Sequence, residues 1–227
     1  MFEKRINMFT GHFGSGKTEV AVNFALKLAE NNFKTAIVDF DIINPYFRTA
    51  DAKDELEKNN IRVVLPMYAN TNVDIPVIPP EIYSLFQNKE YQVVLDVGGE
   101  DLGAKAISRF KEEIISDSYE MFFVVNTRRN MTDTSEKILE MIALIEYGAN
   151  IKVTKLINNT NLLEETTPEI ILEGNKIIAE ASDKTGIPIA ITAGMEDVIS
   201  RLSREQLSGS ELLTMRKQIH LPWNKGY

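Results

Sequence analysis

The chain has 227 residues, 44 % of them hydrophobic and 26 % charged, a composition that suits one domain with a full core. Its net charge of −8, from 25 basic and 33 acidic residues, disfavours free nucleic acid as a partner. The absence of cysteine excludes disulfides, thiolate metal sites and cysteine-held iron–sulfur clusters. The two histidines, His12 and His220, lie too far apart for a metal-binding pattern. No apolar run approaches the ~20 residues of a membrane span, and residues 1–9 (MFEKRINMF) lack a signal-peptide layout. A cytoplasmic protein without a membrane partner is expected.

Apolar runs of strand length alternate with amphipathic runs of helix length, which predicts a parallel sheet with helices on both faces. A first strand over residues 6–10 (INMFT) leads into residues 11–18 (GHFGSGKT), and a helix follows over residues 18–30. Residues 35–39 (TAIVD) form a second strand ending at Asp39 and Asp41, a short helix covers residues 50–58, and residues 61–65 (IRVVL) form a third strand. Residues 66–80 (PMYANTNVDIPVIPP) read as a long, proline-rich loop opening on the carboxyl edge of the sheet, where such folds bind ligands. A helix over residues 81–88 precedes a strand over residues 91–97 (YQVVLDV), which runs into Gly98-Gly99-Glu100-Asp101.

Beyond it the pattern predicts a helix over residues 104–116 and a strand over residues 121–126 (MFFVVN) followed by Thr127-Arg128-Arg129. Asp133 and Glu136 have capping-box spacing for a helix that buries Ile138, Met141, Ile142 and Ile145. A strand over residues 152–158 comes next. Thr167-Pro168 then starts a helix with Ile170, Ile171, Gly174, Ile177, Ile178 and Ala181 on its inner face, stopped by Gly186 and Pro188. A seventh strand, residues 187–192, and a helical tail over residues 203–219 packed on the core complete a single domain without repeats or linkers.

Residues 11–18 carry the chemistry. They fit G-x-x-x-x-G-K-[ST], the phosphate-binding loop, in the strand–loop–helix setting it requires. Four fixed positions match by chance in about one chain of this length in a hundred. Gly11, Gly14 and Gly16 let the backbone turn tightly and approach a ligand, so that amides of His12, Phe13, Ser15 and the first helical turn, including Glu19, converge on one point where the helix dipole adds positive charge. Lys17 can reach the β- and γ-phosphates of a nucleotide, and the Thr18 hydroxyl can ligate the accompanying Mg²⁺. Asp96 ends an apolar strand and can hold the same ion, and Asp96-Val97-Gly98-Gly99 fits D-x-x-G, in which a glycine amide senses the γ-phosphate. Asp39 and Asp41 form a second acidic pair, of which Asp41, further out, suits placing the attacking water. Glu100 and Asp101 are further acidic candidates.

Read together, GHFGSGKTEVAVNFAL, VDFDIINPYFR, VVLDVGGED and KVTKLINNTN resemble the MinD/ParA/CobQ-type ATP-binding proteins, P-loop proteins of the class that includes the nitrogenase iron protein and dethiobiotin synthetase. The resemblance spans the chain from the first strand to about Thr192. It implies an α/β P-loop NTPase three-layer sandwich with a mostly parallel seven- or eight-stranded sheet, Mg-ATP as the nucleotide, and often an ATP-bridged homodimer. Asp41 matches the switch I aspartate, counted with Thr18 and Asp96 at the metal, and Gly99 the switch II glycine. Asn158, or its neighbour Asn159, matches the asparagine that contacts adenine, and the segment beginning Ala193-Gly194-Met195 would close over the base. No N/T-K-x-D guanine signature follows a late strand.

At the position of the family's second, signature lysine stands His12, which is not a dependable cation at pH 7. The homodimer is the expectation this most weakens, and Arg48, Arg128 and Arg129 are the alternative cations. Three readings stay open: an ATPase switch acting on a partner protein; an ATP-dependent phosphotransferase or synthetase for a small carboxylate-type metabolite held by residues 66–80; and an ATP-sensing module with little turnover.

Overall fold

A computed structural model describes residues 2–41, 49–66, 79–99 and 101–219, with Asp101 and Leu102 described in backbone only. Arg48, Glu100, His220 and residues 67–78 of the proline-rich loop lie outside the described residues.

Eight strands form one sheet: β1 (Ile6–Thr10), β2 (Thr35–Phe40), β3 (Arg62–Val64), β4 (Gln92–Val97), β5 (Tyr119–Val125), β6 (Lys155–Asn158), β7 (Ile189–Met195) and β8 (Glu211–Met215). Their order is β3-β2-β4-β1-β5-β6-β7-β8, and every pairing is parallel. The chain thus lays β2, β3 and β4 on one side of β1 and then crosses to lay β5 to β8 on the other. Such a reversal opens a crevice at the carboxyl ends of the central strands.

Alternate residues of each strand enter different cores, as the pleat requires. Met8, Val38, Leu95, Phe123 and Leu156 pack with α4 (Asp101–Ser108), α6 (Ser135–Ala149) and α7 (Pro168–Thr185). Phe9, Ile37, Val94, Phe122 and Ile157 pack on the other face with α1 (Lys17–Glu30) and α2 (Lys53–Lys58). There Phe9 stacks on Phe122 at 5.0 Å, and Phe24 of α1 closes on both. Two shorter helices, α3 (Glu81–Gln87) and α5 (Lys111–Ile115), cover the first face, and α8 (Glu196–Ile199) follows β7. The three-layer α/β sandwich expected from the alternation is therefore the fold.

Four local expectations are corrected. The helical tail is instead β8. Ser208 and Gly209 both take positive φ (56° and 77°), and the turn they form sets Leu213 and Met215 inward and Thr214 outward against β7. Tertiary pairing here overrides the helical preference of Glu-Leu-Leu. The single helix over residues 104–116 is two, because Phe110 turns inward at the break to pack on Phe40, Tyr83 and Phe86. The N-cap of α6 is Thr134, whose hydroxyl accepts from the Lys137 amide, while Asp133 pairs with the Lys137 ammonium. The seventh strand, expected over residues 187–192, is β7 and continues through Ala193-Gly194-Met195. Thr167 caps α7 and Gly186, at φ 72°, ends it as expected.

Candidate functional site

The carboxyl ends of β1, β2 and β4 lie side by side, with Asp96 level with both Phe9 and Asp39. This register brings the glycine loop after β1, the acidic pair after β2 and the Asp96–Gly99 turn together. The Ser15 amide donates to the His12 carbonyl at 2.9 Å, and Gly16, at φ 82°, starts α1 without a side-chain cap. The first-turn amides, which no helix can satisfy internally, are thus left for a ligand. A Cβ on Gly16 would lie 2.4 Å from Asn159 Nδ2, so glycine is required there.

Lys17 and Thr18 occupy the first two positions of α1, and both are buried. The Lys17 ammonium donates to Asp41 Oδ2 at 2.5 Å. Thr18 and Thr49 both hydrogen-bond Asp96, Thr49 Oγ1 to Oδ2 at 3.1 Å. The Asp41 amide donates to Asp39 Oδ1 at 2.9 Å. Burial alone would lower the Lys17 pKa, but the charges of Asp96, Asp41 and Asp39, with the Asp41 hydrogen bond, outweigh it and hold the ammonium above the usual lysine value. Burial, then the Asp96 charge, push the Asp39 carboxyl up to about 8. Burial raises Asp96 as well, against the Lys17 charge and the hydrogen bonds of Thr18 and Thr49. Asp39 is thereby biased toward its protonated form near neutral pH, and the Lys17 ammonium faces Asp41 and Asp96.

The turn after β4 reaches this cluster through backbone. A Cβ on Gly99 would sit 1.8 Å from the Gly11 carbonyl oxygen and 3.0 Å from the His12 amide nitrogen. Only glycine lets these two loops approach so closely.

A cavity of about 770 Å³ runs from the loop toward β7 and β8. Gly14, Lys17 and Thr18 line it together with Met195, Met215 and Ile219. That volume is in the range of small-molecule and cofactor sites. Ser15 Oγ, Asp96 Oδ1 and Asn159 Oδ1 are buried polar atoms without a hydrogen-bond partner among the described residues, and of these three residues Asn159 lines the cavity. Orphaned atoms of this kind mark a missing partner, and the Asp96 carboxylate with the Thr18 hydroxyl that bonds it is a donor set that suits a hard divalent cation. No group of three or more His, Cys, Asp or Glu among the described residues could hold a metal ion by itself.

The two asparagines divide. Asn158 is engaged within the protein, donating to the Ile171 carbonyl at 3.1 Å and accepting from the Thr160 amide at 3.0 Å, and it does not line the cavity. Asn159 does line it, and its Nδ2 donates to the Ser15 carbonyl at 2.7 Å. Because a carbonyl only accepts, the amide orientation is settled and Oδ1 is the atom left to offer.

His12 Nδ1 lies 2.8 Å from the Phe13 carbonyl, and the ring does not line the cavity. Glu19 borders the cavity, but its carboxylate accepts from the Gln218 and Ile219 amides at 2.6 and 3.1 Å, strapping the segment after β8 to α1. Asn23 reinforces this by exchanging two hydrogen bonds with the Arg216 backbone. Thr49 and this strap had no signal in the sequence. Each joins residues far apart in the chain through a group with no motif of its own.

The family model for the CobQ/CobB/MinD/ParA nucleotide binding domain matches residues 8–169. The chain belongs to this family. That membership makes the cradle a nucleotide site of the P-loop NTPase kind. No curated protein matches the chain. Similar solved structures carry the same fold at low identity. Thermotoga maritima cell division protein FtsY is 19 % identical with a TM-score of 0.57, over 85 % of this chain and 62 % of that one. Mycoplasma mycoides FtsY is 18 % identical with a TM-score of 0.50, over 85 % and 60 %. The signal recognition particle receptor FtsY from Elizabethkingia anophelis, solved with GDP, is 17 % identical with a TM-score of 0.51, over 85 % and 58 %. The family member described here thus spans less than two thirds of each of these chains. Among the described residues, no helix is long and apolar enough to cross a membrane.

Proposed function

We propose that this CobQ/CobB/MinD/ParA-family domain binds Mg-ATP, hydrolyses it, and uses the cycle as a switch on a partner protein. The observation that carries the reading is the meeting of Lys17, Thr18, Asp41, Asp96 and the Gly99 backbone at the carboxyl edge of β1, β2 and β4, where Lys17 and Thr18 line the cavity. Thr18 and Asp96, with Asp41 as a further candidate, would hold the Mg²⁺, which when bound screens phosphate charge. The loop amides of residues 11–18 would cradle the phosphates. Lys17 would reach a phosphate from its place beside Asp41, and the Asp41 carboxylate would orient an attacking water.

Adenine is favoured over guanine by the residues that follow Asn159. They read Thr160-Asn161-Leu162, so an apolar Leu162 stands where a guanine reader of the N/T-K-x-D type has its carboxylate. Asn159 Oδ1 is the acceptor available to the base. The GDP-bound FtsY shares the fold alone and does not decide the base.

The close approach of Gly99 to Gly11 supports a switch. A group arriving there must displace or bond the Gly99 backbone and so bias the turn into α4. A protein client is supported by exposed apolar side chains that line the cavity, Phe13 at 53 % and Leu163 at 71 %. The test is phosphate release from ATP and from GTP by the purified protein, alongside capture of native-cell proteins with a non-hydrolysable ATP analogue and with ADP. The reading expects ATP to be preferred and the client to appear only with the analogue. Release that begins only on adding a metabolite would replace the switch with a synthetase, and intact ATP after hours would leave only a sensor.

A further inference from the structure

We propose that Arg129 is a second phosphate cation supplied in cis, reaching the nucleotide from the connection that follows β5. The proposal rests on the ATP reading above and adds a residue to it.

Placement comes first. β5 lies beside β1 in the sheet, so the turn after it stands next to the phosphate loop. That turn is braced by the fully buried Asn126. Its carbonyl accepts from the Arg129 amide at 3.1 Å and the Thr132 hydroxyl at 2.8 Å, and its Oδ1 accepts from the Arg128 amide at 3.0 Å. A turn held this firmly delivers its side chains in a fixed direction.

The two arginines it carries then part company. Arg128 is paired with Glu173 of α7. Arg129 crosses to the loop, where its Nε donates to the Gly14 carbonyl at 3.0 Å, and it lines the cavity. The guanidinium lies so close along Gly14 that a Cβ there would meet Nε at 3.2 Å and Cζ at 3.4 Å. Among the described residues Arg129 has no carboxylate partner, and only Nε is engaged. The two terminal amino groups remain, on a planar fork that matches phosphate oxygens.

The charge balance supplies the reason. Of the other cations lining the cavity, the one in the phosphate loop, Lys17, already donates to Asp41 at 2.5 Å. A polyphosphate bound at that loop gains little net positive charge from a lysine already matched by carboxylates. Arg129 adds an uncompensated one, at the loop carbonyl whose neighbouring amides face the ligand.

Fluorescence titration of ATP and adenosine into the wild type, Arg129→Ala, Arg129→Lys and Arg128→Ala, with melting temperatures of each, tests this. Arg129→Ala should lose ATP affinity about ten- to a hundredfold, the scale of a charge-assisted hydrogen bond, and the salt dependence of ATP binding should flatten. Adenosine affinity and melting temperature should hold. Lysine should restore part of the loss, and Arg128→Ala should bind ATP as the wild type does. If Arg129→Ala binds ATP undiminished, or loses ATP and adenosine equally, Arg129 is not a phosphate cation while the ATP reading stands. A wild type that binds no nucleotide overturns both.

Discussion

Replacing Lys17 by methionine removes the ammonium and keeps the length and most of the apolar contacts of the side chain. The structure makes this a stability experiment as well as a binding one. Lys17 is the hydrogen-bonded partner of Asp41 and lies in the field of Asp96 and Asp39, all of them buried. Removing one partner of a buried ion pair costs about 3–5 kcal/mol because an uncompensated charge is left behind. The cost is moderated here, since Asp39, with its pKa near 8, is already biased toward its protonated form at pH 7 and a stranded carboxylate can take up a proton. About 2–4 kcal/mol is therefore expected, or a drop of roughly 5–15 °C in melting temperature for a domain of this size. Asp41→Asn in the same background removes the charge that Lys17 balanced. Lys17→Met with Asp41→Asn should then be more stable than the sum of the single losses by about 1–3 kcal/mol. Thermal melts of the four ligand-free proteins in one buffer give the cycle, and ATP titration of each gives the second readout. Nucleotide binding should be lost in both Lys17 variants, and the second mutation should restore stability without restoring binding. A single Lys17→Met that melts within about 2 °C of wild type, or single losses that simply add, would refute the charge cluster.

The remaining expectations concern the same edge of the sheet and its far end. Asp41→Asn alone should bind ATP within a few-fold of wild type yet release phosphate at least about a hundredfold more slowly, the lower end of what a positioned general base contributes; single-turnover phosphate release beside ATP titration checks it. Gly99→Ala should abolish turnover and lower the melting temperature, because the new Cβ at 1.8 Å from the Gly11 carbonyl forces backbone apart; wild-type turnover in this variant would remove Gly99 from the switch. At the opposite end of β1, Arg5 pairs with Asp117 at 2.5 Å and donates to the Leu85, Phe86 and Tyr91 carbonyls. Partial burial would raise the Asp117 pKa, but hydrogen bonds from Arg5 and Lys89 hold it down at about 2. Its folded pKa is depressed, so this stabilisation is present above about pH 4 and fades as pH falls toward 2. Discounted for solvent screening, about 1 kcal/mol should disappear over that window in urea melts of the wild type and not of Asp117→Asn.

The fold was largely legible because a parallel sheet covered on both faces leaves a strong pattern: apolar strand runs separated by helices with clear caps, as at Thr167-Pro168 and Gly186. The phosphate loop was legible because its chemistry is local, with eight consecutive residues carrying the turn, the amides, the ammonium and the hydroxyl. Asp96 could be read from the apolar strand it ends. What escaped is non-local. β8 exists only because β7 offers an edge, and its composition alone favours a helix. The separation of Asn158 from Asn159 depends on the strand pleat and on where Ser15 and Ile171 fall in space. The Glu19 strap and the Thr49 contact with Asp96 join segments 199 and 47 residues apart, and Arg128 and Arg129 look alike until one meets Glu173 and the other Gly14.

The central claim is that one cradle at the carboxyl edge of this sheet takes a triphosphate with its metal. Calorimetric titration of the ligand-free protein with Mg-ATP, with Mg-GTP and the Lys17→Met variant beside it, tests it most directly. The account predicts saturable binding of one ATP per chain, at least about tenfold weaker binding of GTP, and no heat from the variant. A flat trace for the wild type at millimolar Mg-ATP, or equal binding by the variant, would contradict it.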